Sequence, residues 1–160
     1  MILEIKKYPD PILRKKCEEV KKITPEIKEL VLNMIETMQK NNGIGLAAPQ
    51  VGVLKRIIVV EAFQGPKSFI NPKILKKSKG TEIMEEGCLS FPGLFLKIKR
   101  AKEIEIEGFD KEFKFKKIKA EGILAKVLQH EIDHLDGVLF IDRLNFFQKL
   151  KIKKKLSKLK

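Results

Sequence analysis

The sequence predicts an α+β fold in which antiparallel or mixed β-sheets surround a central helix that carries the motif HExxH, with a basic C-terminal helix after it. Two observations lead to this prediction. Apolar residues recur at helical spacing in three stretches: one near the start, one over 121–137 and one over 144–160. Between the first two lie several short stretches that are rich in β-branched residues or alternate between apolar and polar.

The helical stretches carry recognisable end signals. Thr24 and Pro25 are typical of an N-cap and the first residue of a helix, and "NNG" at 41–43 would end that helix. Gly137 is well placed as a C-terminal cap of the helix over 121–137. The stretch 144–160 is predicted to be helical and very basic.

The strands are predicted from alternation and from β-branched content. They cover 57–63, 69–75, 80–86, 96–109 and 113–120. Pro72 requires that the second of these lie at a sheet edge or contain a bulge, because proline cannot donate to the ladder. The last two should form a hairpin across the turn "FDKE".

Length and composition limit the class of protein. A chain of 160 residues with 43% apolar residues fits one globular domain, 1–160, with a real core. No apolar run approaches the roughly 20 residues that span a bilayer, and the charged start "MILEIKKYPDPIL" is no signal peptide. We therefore expect a cytoplasmic protein, bacterial rather than organellar.

The net charge of +13 favours an anionic partner, nucleic acid above all. A lysine-coated surface without such a partner is an equally good interpretation of the same charge. Cys17 lies in a charged setting without a nearby cysteine, and we expect it to be a partly buried small residue.

Both histidines of the chain lie in "QHEIDHLDG", residues 129–137. On a helix, His130 and His134 share one face, so their imidazoles can converge on one ion, and Glu131 borders that face. H-E-x-x-H is the recurring arrangement of metal hydrolases, in which two imidazoles hold the ion and the carboxylate takes a proton from water. A solvated helix face is the alternative.

A catalytic metal usually has three protein ligands, and no Glu or His follows His134. The third ligand must therefore come from upstream. One candidate is Cys88 in "EEGCLSFPG", because a thiolate binds Zn(II) or Fe(II) well. Further upstream, "GIGLAAPQ" at 43–50 offers two glycines and the amide of Gln50. Taken singly, either stretch could be an ordinary loop or turn.

Together, "GIGLAAPQ", "EGCLS" and "HEIDH" resemble the three signature motifs of the peptide deformylase family, compact bacterial type. The resemblance extends to "YPDPILR" near the start and to "DGVLFIDRL" after the third motif. It implies a metal-dependent hydrolase that removes the formyl group from the N-terminal formylmethionine of newly made polypeptides and releases formate. It also implies one divalent metal ion, Fe(II) as the native ion, with Zn, Ni or Co as alternatives.

The resemblance also implies roles for individual residues. Cys88, His130 and His134 would hold the metal, Glu131 would act as general acid and base on the attacking water, and Gln50 and the backbone N–H of Leu89 would stabilise the oxyanion. The residues expected to bind substrate are Ile44, Gly45, Gly87, Leu89, Val127 and His130.

One departure from the family concerns the stretch "SFPGLFL", which lacks the arginine that can reach the substrate in some relatives. Lys126, one turn before His130, could partly replace that arginine or could only face solvent. The partners implied are N-formylmethionyl nascent peptides and, through the basic helix 144–160, the ribosome; neither a membrane nor DNA is expected.

Two other interpretations stay open. The same motifs could belong to a peptidase or another amide hydrolase, although the downstream ligand of the usual zinc peptidases is missing. A non-enzymatic RNA-binding module with a structural zinc would need four protein ligands, and the sequence offers three obvious ones.

Overall fold

Two antiparallel β-sheets and three α-helices make up residues 1–159, the part of the chain that the computed structural model describes. The larger sheet has the strand order β1-β2-β3-β6-β7, and the smaller one pairs β4 with β5. The strands are β1 (Gly45–Ala47), β2 (Ile57–Ala62), β3 (Gly65–Lys77), β4 (Thr81–Cys88), β5 (Phe91–Ala101), β6 (Glu103–Phe109) and β7 (Phe115–Glu121). The predicted α+β class is therefore confirmed.

The helices are α1 (Pro25–Lys40), α2 (Gly122–Leu135) and α3 (Phe146–Ser157). The Thr24 side chain accepts a hydrogen bond from the backbone N–H of Ile27 and caps α1, as predicted. Gly137 follows α2 with φ of 72°, and a Cβ there would collide with the backbone carbonyl of Arg14. A glycine is thus needed at this helix end for two reasons, conformation and space.

The predicted long strand over 96–109 is wrong as a single element. It is two strands of different sheets, β5 and β6, separated at Lys102. Ala101 pairs with Thr81 in the small sheet, whereas Glu103 pairs with Glu121 in the large one. Even-numbered positions are buried on both sides of the break, and only Lys102 between them is exposed, so the two strands follow one alternating pattern. The predicted hairpin is confirmed for β6 and β7.

Pro72 lies in a bulge and not at an edge. β3 sits between β2 and β6, and its pairing with β6 shifts register between Ile70 and Lys73. Beside the bulge, Oδ1 of Asn71 accepts a hydrogen bond from the backbone N–H of Val20, and Nδ2 of Asn71 donates to the backbone carbonyl of Val20, both at 2.8 Å. The bulge takes Pro72, which has no backbone N–H, out of the hydrogen-bonded ladder.

Helix α2 lies at the centre of the packing and contacts β1, β2, β5 and β7. One face of it joins the main core, in which Ala125, Leu128 and Leu135 are fully buried. Helix α3 docks on a second core through Ile152, with Phe91 and Phe140 in the same cluster. None of the helices in residues 1–159 is long and apolar enough to cross a membrane.

Candidate active site

Cys88, His130 and His134 meet although 46 residues separate the first from the last. One side-chain donor atom from each lies within 4.8 Å of the other two. The Sγ of Cys88 is 3.4 Å from Nε2 of His134. Both histidines project from α2 and are almost fully buried, while Cys88 ends β4 and is partly exposed.

A buried carboxylate orients the first histidine. Nδ1 of His130 lies 2.9 Å from Oε1 of Glu86. Because an ionised carboxylate can only accept, Nδ1 carries the proton and Nε2 is left to face the cluster. Burial alone would raise the pKa of Glu86, but hydrogen bonds from His130 and Arg100 lower it to about 2. Glu86 therefore stays ionised and fixes the ring in one orientation.

Arg100 connects Glu86 to helix α2. Its Nε and one terminal nitrogen donate to Glu86 at 2.8 and 3.0 Å, and the other terminal nitrogen donates to Asp133 at 2.7 Å. The side chains of Arg100 and Glu86 are only 5% and 3% exposed. Arg143 then donates to Asp133 from the surface side. The chain of charges thus runs from the solvent to the first histidine.

The two histidines differ in protonation. Burial and the positive charge of His130 hold the pKa of His134 well below its usual value, so that ring is a neutral imidazole. Burial also disfavours a charged His130, but hydrogen bonds with Cys88 and Glu86 outweigh it and raise the pKa of His130 to about 10. Metal ligation uses the neutral form of an imidazole, so a cation and a proton compete for this ring.

Glu131 lies next to the cluster and is 4% exposed. Burial raises the pKa of this carboxyl to about 7, and its Oε2 has no hydrogen-bond partner among the described residues. Gly45 on β1 makes room for it: a Cβ at that position would lie 2.5 Å from Oε1 of Glu131. A carboxylate with a pKa near neutrality can both take and return a proton.

Gln50 is held in one orientation by its neighbours. Its Oε1 accepts from the backbone N–H of Ala47 at 2.9 Å, which leaves Nε2 as the donor facing the cluster. Nε2 lies 3.1 Å from Oγ of Ser90 and 3.5 Å from Sγ of Cys88. The short 3-10 turn Ala48–Val51 buries this side chain to 1% exposure.

A cavity of about 440 Å³ opens onto the cluster. All the residues that the sequence analysis assigned to substrate line it, together with Cys88 and Glu131: Ile44, Gly45, Gly87, Leu89, Val127 and His130. Gln50 and His134 are not among the lining residues. Ile44 is half exposed at 51%, whereas Val127 is buried. The lining therefore offers apolar surface beside a polar cluster.

The expectation that Lys126 only faces solvent is wrong. It is 9% exposed and its Nζ donates to the backbone carbonyl of Glu85 at 2.9 Å. This bond joins α2 to β4 at the cavity wall.

Glu86, Arg100 and Asp133 were not predicted as site residues from the sequence. Arg100 carried a signal: Leu94, Leu96 and Ile98 alternate as inward-facing residues of β5, and Arg100 takes the next inward position. A charged residue in such a position is buried and needs acidic partners. Glu86 and Asp133 each lie within a motif, but nothing in the sequence joins them to Arg100.

The donor set fits a divalent metal ion. An ion held tetrahedrally at bond lengths of about 2.0–2.3 Å keeps its ligand atoms about 3.5 Å apart, close to the 3.4 Å between Cys88 and His134. A thiolate and two imidazoles suit Zn(II), Fe(II) and related ions. The carboxylate behind His130 supplies the usual support for a ligating histidine.

The α+β fold and this cluster beside a buried glutamate define a metal-binding hydrolase of the HExxH type. The family model of polypeptide deformylase matches residues 2–150. The peptide deformylase of Thermodesulfovibrio yellowstonii is 48% identical over 161 residues, which cover 98% of this chain and 97% of the relative. The chain therefore belongs to the polypeptide deformylase family, as the motifs predicted.

Solved structures agree with this assignment. The peptide deformylase from Ehrlichia chaffeensis is 42% identical with a TM-score of 0.91, covering 99% of this chain and 96% of that one. The peptide deformylase from Synechococcus elongatus, solved in complex with actinonin, is 38% identical with a TM-score of 0.91. That similarity covers 98% of this chain and 85% of the other.

Proposed function

We propose that this chain is a metal-dependent peptide deformylase that removes the N-formyl group from the N-terminal formylmethionine of newly made polypeptides. Hydrolysis breaks the bond between the formyl carbon and the methionine nitrogen and releases formate. The observation that carries the proposal is the convergence of Cys88, His130 and His134 beside Glu131, at an open cavity, in a chain of this family. The bacterial cytoplasm, where such chains are made, is the proposed place of action.

Cys88 Sγ and the Nε2 atoms of His130 and His134 are the proposed metal ligands. We propose Fe(II) as the native ion, with Zn, Ni or Co able to replace it. When bound, the ion makes water a good nucleophile near neutral pH and polarises the formyl carbonyl. Elemental analysis after anaerobic purification identifies the ion.

Glu131 is the proposed general base and acid. Its carboxylate accepts a proton from the attacking water and then passes that proton to the methionine nitrogen as the C–N bond breaks. The unpaired Oε2 and a pKa near 7 support this role, because the group is free to accept and can release the proton again. Gly45 keeps the carboxylate close to β1, beside the expected path of the peptide.

Gln50 and the backbone N–H of Leu89 are the proposed oxyanion donors. The bond from Ala47 to Oε1 turns the Nε2 donor of Gln50 towards Cys88. Because that donor is already oriented, it costs little reorganisation when negative charge develops on the formyl oxygen. Leu89 follows directly on the strand that ends with Cys88.

The substrate is proposed to lie extended between two backbone stretches, 43–45 and 86–89, like an added strand. Its methionine side chain would fill the apolar space lined by Ile44, Leu89, Val127 and the ring face of His130. Main-chain hydrogen bonds bind any peptide, while this apolar space selects the first side chain.

The reaction is tested by measuring formate release from formyl-Met-Ala-Ser, with the unformylated peptide as a check for peptidase activity. Cys88→Ala should lose both the metal and the activity, whereas the matched Cys17→Ala variant should keep both, because Cys17 lies in the main core. Glu131→Gln should retain the metal but lower kcat by at least ~10²-fold, the usual scale for a lost general base. Equal metal loss in both cysteine variants would contradict the ligand assignment.

We further propose that helix α3 holds the enzyme on ribosomal RNA. The helix docks through Ile152, with Leu156 and Leu159 packed against the same core. Its five lysines are all exposed to solvent: Lys149, Lys151, Lys153, Lys154 and Lys155. Their charges would contact phosphates and bring the site close to emerging chains. Such binding must weaken steeply with salt, because it releases counterions.

A charge-reversal variant tests the ribosome proposal better than deletion, since deletion would also remove the buried Ile152. Replacing four of the α3 lysines, Lys151, Lys153, Lys154 and Lys155, by Glu should abolish co-sedimentation with ribosomes at low salt and leave hydrolysis of a free tripeptide nearly unchanged. The matched control reverses four exposed lysines on and beside β3: Lys73, Lys76, Lys77 and Lys79. Equal loss of co-sedimentation in both variants would show that ribosome binding depends on net charge and not on α3.

A further inference from the structure

Two turns at one end of the large sheet carry exposed phenylalanines. β2 and β6 both pair antiparallel with β3, so they run in the same direction and the turns that follow them lie at the same end. Phe63 lies in the first turn and is fully exposed. Phe113 in the second turn and Phe115 directly after it are 60% and 56% exposed. Exposed apolar side chains gathered in one place indicate a binding surface.

Phe113 has a backbone conformation that phenylalanine rarely adopts. Its φ is 64°, in the left-handed region that favours glycine and asparagine. The turn is closed without the ring, because Oδ1 of Asp110 accepts from the backbone N–H groups of Glu112 and Lys114 at 2.9 and 3.0 Å. The ring stacks on Phe109, with 5.2 Å between the centroids, and more than half of its side chain stays open to solvent. Residues held in this region of φ cluster at functional sites.

The acids around these rings already have partners. The carboxylate of Asp110 accepts from the backbone of its own turn. Glu112 lies 3.5 Å from Nζ of Lys28 on α1, and Glu61 accepts from Nε2 of Gln39 at 3.2 Å. Four lysines lie on the second turn and on the strand residues beside the two turns: Lys67, Lys111, Lys114 and Lys116. This end of the sheet therefore presents positive charge to an anionic ligand.

The lysines lie close enough to repel one another. Burial lowers the pKa of the Lys116 ammonium group; the Asp110 carboxylate opposes this, but Lys67 and Lys111 lower the pKa further. Phosphate groups bound between these lysines would relieve the repulsion, while the exposed rings offer faces on which bases can stack. Lysines beside open aromatic rings are typical of surfaces that bind single-stranded nucleic acid.

We propose that the turn surface, formed by Phe63, Phe113, Phe115 and the four lysines, binds a single-stranded stretch of RNA. Lys111 and Lys114 flank Phe113 in the chain and would contact phosphates on either side of a base that stacks on its ring. A single strand fits because its base faces are free, whereas those of a duplex are stacked on one another. The choice of RNA rests on the proposed function, since newly made polypeptides emerge from an RNA-containing particle. This contact is separate from α3, which packs on the second core.

A tryptophan placed in the turn surface measures stacking directly, because the chain has none of its own. The emission of Phe113→Trp should be quenched by a short oligouridylate, since a base would stack on the indole, and an inorganic polyphosphate should not quench it. The matched control is Phe147→Trp on α3, a position 74% exposed, where only lysine contacts to phosphate are proposed. Equal quenching at the two positions, or none in Phe113→Trp, would overturn the proposal.

A second variant removes the ring and keeps the turn. Asparagine adopts the left-handed conformation readily, so Phe113→Asn should fold as the unmodified chain does. Its Kd for oligouridylate at low salt should rise at least roughly 5-fold, the lower end of what one stacked base contributes, while Phe147→Asn should leave the Kd unchanged. Neither residue lines the cavity, so formate release should be unaffected in both. Absent formate release with this Kd difference intact would contradict the catalytic proposal alone; equal Kd values would overturn the role of the ring.

The salt dependence tests the lysines. Each phosphate contact on a single strand contributes about 0.7 to the slope of log K against log salt concentration, so replacing Lys111 and Lys114 by Gln should make that slope shallower by about 1.4. The control replaces Lys73 and Lys79 by Gln, which removes the same charge from exposed positions outside the turn surface. Equal slopes in the two variants would show that Lys111 and Lys114 do not contact phosphates and would overturn the proposal, as would a duplex RNA of the same length that binds as tightly as oligouridylate.

Discussion

Arg100 is the residue whose loss should damage the site most without touching its surface. The guanidinium is the common partner of Glu86 and Asp133, and its side chain is 5% exposed. Arg100→Met keeps a side chain of similar length but removes the charge. Glu86 would then keep only His130, and Asp133 only Arg143.

The expected cost follows from this burial. Breaking a buried ion pair by removing one partner costs about 3–5 kcal/mol, because the other charge stays buried. Each carboxylate keeps one other partner, so the lower end, about 3 kcal/mol, is expected for Arg100→Met. Arg143→Met is the control: its side chain is 41% exposed, and an exposed pair contributes at most about 1 kcal/mol.

Urea unfolding of chelator-treated protein at pH 7 measures both variants without a contribution from metal release. With a slope of about 2 kcal/mol per molar urea, the midpoint should fall by about 1.5 M for Arg100→Met and by under about 0.5 M for Arg143→Met. Equal shifts of the urea midpoint in the two variants would refute the conclusion that the buried ion pairs of Arg100 stabilise this region.

The pH dependence provides a second check. A carboxyl whose pKa is lower in the folded than in the unfolded chain contributes stability above its unfolded pKa, and this contribution is lost as the pH falls. For Glu86 the pKa drops from 4.5 to about 2, so the loss occurs between these values. Without Arg100, Glu86 contributes less of this pH-dependent stability, and its protonation removes the buried charge that destabilises the variant. The difference in the free energy of unfolding between Arg100→Met and the unmodified protein should therefore become smaller below pH 4.5.

Two further outcomes are expected. Gly45→Ala places a Cβ 2.5 Å from Oε1 of Glu131, and formate release should fall by about 10²-fold, as for other misplaced catalytic groups. Gly80→Ala should be neutral, because its Cβ would meet nothing nearer than 3.6 Å. Equal activities of the two variants would contradict the close fit between Gly45 and Glu131. Burial raises the pKa of the Cys17 thiol to about 11. Iodoacetamide at pH 8 should therefore leave Cys17 unmodified in the folded protein and modify it in urea, as measured by mass spectrometry. Rapid labelling of Cys17 in the folded protein would contradict its burial.

Local signals in the sequence predicted the helix ends well, because the residues that give the signal also form the caps in the structure. Thr24 and Gly137 mark helix ends because capping chemistry acts within a few residues. The break at Lys102 was missed because β5 and β6 keep the same inward alternation while pairing with different strands. Alternation reports which side of a strand is buried, and it carries no information on the partner strand.

For the site, the sequence predicted the residues that carry reactive groups but not those that hold them. His130 and His134 are paired by helix geometry alone, so their spacing is sufficient. Cys88 could be joined to them only through the family resemblance, since no spacing rule spans 46 residues. Arg100 was missed altogether, because its role depends on the separate placement of Glu86 and Asp133.

The three motif segments are joined by polar bonds as well as by packing, and this bears on how the site binds its ion. Arg100 ties β4 to α2 through two carboxylates, and Lys126 ties α2 back to the carbonyl of Glu85. Gln50 ties the first segment to the second through Ser90. With the segments joined in this way, the three donor atoms lie within 4.8 Å of one another. These bonds form as the chain folds, so orienting the ligand side chains is part of folding.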